Sequence, residues 1–143
     1  MERKKLILLI STVFICLSFV LTSYVGSPKE AAKKLVLKQQ ERIFNESRFV
    51  FRPVVETLGN QSELKILVEV TSYIYDEILS LDFKTNTMLE FEDSIIRPSE
   101  FTVIEKSNHK LVGQLIFNAT DFVPSNQWAI KLFTFSDHEV LWN

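Results

Sequence analysis

Histidine changes charge nearest neutral pH and is the commonest metal ligand, so the two histidines of this 143-residue chain, His109 and His138, come first. Asp137 precedes His138 and could supply a carboxylate ligand beside it. A metal-handling site built from His109, His138 and Asp137 would suit zinc or copper, but no ligand spacing brings the two histidines together. Two solvent-exposed loop histidines are the simpler reading. Carboxylates gather at Asp76, Glu77 and Asp82, and again at Glu90, Glu92 and Asp93. Glu90 and Glu92 are two apart, so on a strand they share a face and repel unless a cation intervenes. Calcium needs about six to eight converging oxygens, and no glycine-bearing calcium loop is present. A glycosidase acid–base pair needs a fixed separation and a cleft, neither of which is specified. These residues read as a solvated acidic sheet face. No serine sits in a nucleophile elbow. The chain therefore reads as a non-enzyme with no catalytic residues and no cofactor.

The charges sort by segment. Residues 1–5 carry Arg3, Lys4 and Lys5 against Glu2, and residues 6–28 carry none. Residues 29–48 are net +3, whereas residues 49–143 hold 7 bases against 14 acids. An acidic domain without a basic stripe repels phosphate, so nucleic acid is not an expected partner.

Between Leu6 and Leu21 stand twelve Leu, Ile, Val or Phe residues. Roughly 20 residues at about 1.5 Å each match a hydrocarbon core of about 30 Å. Residues 6–25 read as a transmembrane signal anchor, longer than the usual apolar core of a cleaved signal peptide, with Pro28 after the best processing position. Cys16, the only cysteine, lies within it, so neither a disulfide nor a cysteine metal cluster is available. A short basic tip at residues 1–5 places the N-terminus in the cytoplasm and the rest outside. Three Asn-X-Ser/Thr sequons, at Asn45, Asn60 and Asn118, are compatible with that side.

Ser27-Pro28-Lys29-Glu30 forms a capping box with proline at the first helical position. The breaker-free run Ala31–Ile43 then predicts a helix from Pro28 to Ile43, within a stalk spanning residues 26–47. On that helix Lys34, Lys38 and Arg42 would share one basic face, open to acidic headgroups or an acidic partner or simply solvated.

From residue 48 to residue 143 the period becomes two. Leu64, Ile66, Val68 and Val70 alternate with Lys65, Leu67, Glu69 and Thr71. Phe49, Phe51 and Val55 alternate with Arg48, Arg52 and Glu56. Further strands are expected at 79–83, 88–92, 101–105, 111–118, 128–135 and 139–142, with turns at 59–62, 84–87, 97–99, 107–108 and 123–126. Seven or eight short strands without a long helix predict a mainly β fold, an antiparallel immunoglobulin-like β-sandwich. Trp128, Trp142, Phe133 and Phe135 would pack its core or form a binding surface.

The stretch from Leu64 to Phe117 resembles membrane-anchored extracytoplasmic β-sandwich domains of bacteria and archaea. Its elements are the strand Leu64 to Val70, Asp82-Phe83, the acidic turn Glu92-Asp93, Pro98, and Gly113-Gln114-Leu115-Ile116-Phe117 preceded by His109. The resemblance implies a sandwich and a location but no reaction. Where that pattern has a glycine-rich turn with two histidines, this chain has Asn108-His109.

The expected function is a membrane-tethered interaction or binding domain with a protein partner. A metal-handling domain is the alternative. A pilin-like filament subunit ranks behind both, because the glycine processing site and the early glutamate of pilins are missing.

Overall fold

The computed structural model describes residues 31–74, 76–133 and 138–142. The expected transmembrane anchor at 6–25 and the expected cytoplasmic tip at 1–5 lie outside the described residues, among which no helix is long and apolar enough to cross a membrane. The compact unit runs from Ala32 to Asn143.

Among the described residues, ten strands form two antiparallel sheets. The first holds β1 (Lys33–Val36), β2 (Gln40–Phe44), β3 (Ser47–Leu58), β4 (Gln61–Thr71), β7 (Glu100–Lys106) and β8 (Lys110–Asn118). Its order is β1-β3-β4-β8-β7, with β2 also paired to β3. The second holds β5 (Thr87–Phe91), β6 (Ser94–Ile96), β9 (Trp128–Leu132) and β10 (His138–Trp142), in the order β10-β9-β5-β6. Hairpins alternate between sheets along the chain. One buried cluster draws on both, with Phe49, Ile66 and Leu115 from the larger sheet and Leu89, Ile130 and Val140 from the smaller, so the sheets pack face to face.

The expected alternation places this core. Phe49, Phe51 and Val55 lie opposite Val70, Val68 and Leu64, which lie opposite Leu111, Gly113 and Phe117. Every second residue therefore points inward across three strands. Two-residue turns set the registers. Asn45 and Glu46, with φ of 46° and 61°, join β2 to β3, and Gly59, at φ 59°, begins the turn from β3 to β4.

The helix expected over 28–43 is not what residues 33–44 form: they are β1 and β2, lying end to end along the free edge of β3. A 16-residue helix is marginal alone in water, whereas β3 offers a row of backbone groups that an edge strand can satisfy. The edge breaks at residues 37–39, opposite Pro53. Proline has no N–H to give, and its carbonyl accepts from Leu37 N at 3.0 Å. The missing donor thus faces the break, and pairing with β4 is unaffected.

The strand expected at 79–83 is also replaced. Asp76–Ser80 is a 3₁₀ turn, and Phe83–Asn86 is a one-turn helix, α1. Asp82 caps α1 by accepting from Lys84 N at 3.0 Å. This segment carries Ile78, Leu79 and Phe83 into the core, which explains its strand-like hydrophobicity. Residues 84–87, expected as a turn, divide between α1 and β5, and the short β6 was not expected.

Candidate functional site

Two regions concentrate exposed, chemically distinctive side chains. The first is the end of the sandwich where the β2–β3 turn, the segment after β4 and the β7–β8 turn meet. Ser47 and Ser72, both buried, share a hydrogen bond of 2.9 Å between their hydroxyls. Ser72 N donates to His109 O at 3.0 Å, and Ser107 N donates to Lys110 O at 2.8 Å. These bonds fix a rigid base under Tyr73 and Ile74, which are 75% and 62% exposed. The Tyr73 ring lies 5.1 Å from the His109 ring, tilted by 32°. Beside them a depression of about 350 Å³ is lined by Leu79, Ser80, Lys106, Ser107, Asn108 and His109.

The second region is the outer face of the smaller sheet. Ala129 is the small residue there, opposite Glu90 on β5 and Leu141 on β10. A depression of about 370 Å³ opens over it, bordered by Glu92, Asn126 and Glu139. Two of its carboxylates are engaged. Glu90 pairs with Lys131, and Asn126 Nδ2 donates to Glu92 Oε1 at 2.7 Å.

The outer face of the larger sheet carries a ladder of ion pairs. Arg48 meets Glu41 through two hydrogen bonds of 2.7 and 2.8 Å. Arg52 meets Glu69 at 3.1 Å, and Lys65 meets Glu56 at 2.6 Å and Glu63 at 3.4 Å. The hydrogen bond from Lys65 holds the Glu56 carboxyl below the usual carboxylate range, and the same bond raises Lys65. The bond from Arg48 likewise lowers Glu41. These are shared surface charges rather than isolated, reactive ones.

The residues singled out by sequence are dispersed. His109 stands at the loop end; Asp137 and the side chain of His138 lie outside the described residues. Among the described residues, no group of three His, Cys, Asp or Glu side chains could hold a metal ion. Lys34, Lys38 and Arg42 do not form a helix face. Lys34 is on β1, 3.9 Å from Glu56, and Arg42 is on β2, donating to Glu41 O at 2.8 Å. Lys38 lies in the break between them, where its carbonyl accepts from Trp142 Nε1 at 2.7 Å. Trp128 and Trp142 are core residues, stacked at 4.1 Å, while Phe133 is exposed and Phe135 lies outside the described residues. Asn45, Asn60 and Asn118 are all exposed.

Tyr73 and Ile74 escape sequence reading because two bulky residues after a strand look like its buried continuation. The serine bond that turns them outward spans 25 positions. Comparison with protein-family models, with curated proteins and with solved structures finds no match.

Proposed function

We propose that this chain is a membrane-tethered, non-enzymatic interaction domain facing the extracytoplasmic side, and that it meets a protein partner through the Tyr73, Ile74 and His109 loops. One observation carries the reading: a large aromatic and an aliphatic side chain are held outward on a hydrogen-bonded base. Exposed aromatics on a rigid support make effective interface anchors. β1 begins at Lys33, opposite Thr57, whereas the loops adjoin Arg48, Thr71 and Lys110 at the other end of the same sheet. About 10 residues at roughly 3.3 Å each separate the two ends. The binding loops are thus well removed from where β1 begins.

The fold reading is compatible with this role. Counted from β3, the sheets run first-second-sixth-fifth and eighth-seventh-third-fourth. That is the strand order of an immunoglobulin-like sandwich, with β1 and β2 as an added edge. The apolar run at 6–25 behind a basic tip supports the tether and the orientation.

The test is affinity capture of the full-length protein from gently solubilised membranes, with protease protection on the same preparation. A partner retained by the wild type and lost from a folded Tyr73→Ser/Ile74→Ser variant is the expected result. Equal retention by the variant removes the loop end from the interface. A domain protected on the cytoplasmic side overturns the orientation.

A further inference from the structure

Among the described strands, β1 is the most exposed. All four of its residues are exposed, Leu35 by 49% and Val36 by 71%, so none of its own side chains belongs to the core. Its ion pair, Lys34 to Glu56, is 3.9 Å long with the lysine 60% exposed. Firm attachment begins only after it. Leu37 packs on the core, and the Lys38 carbonyl is bound by Trp142. β1 therefore ends where the firm attachment starts, and the chain can swing away from β3 at the Val36–Leu37 junction. The β1 residues Lys33 and Lys34, and the alanines before them, are poor strand formers and good helix formers, so local preference opposes the observed state. A segment whose local and tertiary preferences conflict is a candidate for alternative pairing.

We propose that β1 is an exchangeable strand, and that the β3 edge from Val54 to Thr57 takes β1 from a second copy of this chain. The strand that fits this edge must place an aliphatic residue beside Val55 and a cation beside Glu56. Leu35 and Lys34 of any copy supply both in the register seen here. Exchange reproduces the same ladder between copies and loses no contact, the usual condition for strand swapping. Because Leu37 and Lys38 stay attached to their own domain, only β1 has to leave and the rest need not open.

Lys34 lies directly opposite Glu56, where paired Cα atoms are about 4.5–5.5 Å apart and within disulfide reach. The experiment co-expresses two full-length chains, each carrying Cys16→Ser, one with Lys34→Cys and the other with Glu56→Cys. Lys33→Cys replaces Lys34→Cys as a register control, since Lys33 faces Thr57 and points to the opposite side of the sheet. After mild oxidation, exchange gives a mixed disulfide dimer at least tenfold above the control. Equal dimer from both pairings, or no dimer while the Lys34→Cys/Glu56→Cys double variant closes within one chain, overturns the proposal. Unfolding temperatures of the single variants, matched to wild type, establish that the folded domain is being read. The outcome is independent of partner binding at Tyr73 and Ile74.

Discussion

Gly113 sits in β8 opposite Val68, and a Cβ there would overlap the ring of Phe101. Phe101, diagonal to it on β7, lies over the glycine and meets Phe83 at 5.3 Å, closing the side of the core that the glycine leaves open. Gly113→Ala must push this ring off Phe83, and overpacking of this kind costs about 1–3 kcal/mol; urea unfolding checks it. Ser47→Ala removes the buried bond to Ser72 and is expected to cost about 1 kcal/mol by the same measurement. The Glu56–Lys65 pair makes stability depend on pH. Because Glu56 is lowered in the folded state, its contribution is present above the unfolded carboxylate pKa and is lost as pH falls through the folded value. Lys65 is raised, so its contribution is lost only as alkaline pH rises through its folded value. Glu56→Gln is therefore expected to flatten the acid side of the stability curve and leave the neutral region less stable. Thermal unfolding from neutral to acid pH measures both.

At the scale of elements, period-two alternation makes most of the sheet legible in the sequence. Residues 64–70, 88–92, 101–105, 111–118 and 139–142 all overlap observed strands, because one face of each had to be apolar. Two failures have distinct physical causes. Residues 79–83 are hydrophobic because they plug the core through a 3₁₀ turn and a capped helical turn, and a short apolar run does not distinguish that from a strand. Residues 33–44 favour a helix locally, and only the open edge of β3, which local sequence does not reveal, makes them strands. The candidate loop end was legible only at His109. Its defining residues, Tyr73 and Ile74, depend on contacts between distant positions. The helix preference of 28–43 should persist outside the fold. A synthetic peptide of those residues is expected to show helical circular dichroism as trifluoroethanol is added, and a strand or coil spectrum throughout would mean that the conflict at β1 does not exist.

For the whole molecule, the question is what joins two sheets in a chain whose one cysteine allows no internal disulfide. Seven aromatic rings run continuously from one sheet to the other. Phe44, Phe49 and Phe51 lie along the larger sheet, and Phe51 meets Trp142 edge-on at 6.3 Å. Trp142 stacks on Trp128 at 4.1 Å, Trp128 meets Phe122 at 5.3 Å, and Phe122 meets Phe91 at 5.5 Å. Trp142 also ties the β1–β2 break to the smaller sheet through the Lys38 carbonyl. Trp128 stands in the middle of this series, in contact with both its strand neighbour and the loop that closes the end of the sandwich. Truncating a buried Trp to Ala costs about 3–5 kcal/mol, against a total stability of about 5–15 kcal/mol for a typical domain. Trp128→Ala is therefore expected to remove a large share of the stability of both sheets together rather than to loosen one of them. Urea unfolding followed by far-ultraviolet circular dichroism and by the near-ultraviolet signal of the remaining aromatics should give one shared, lowered midpoint. Two separated transitions would mean that the sheets are stabilised independently and that the ring series does not couple them.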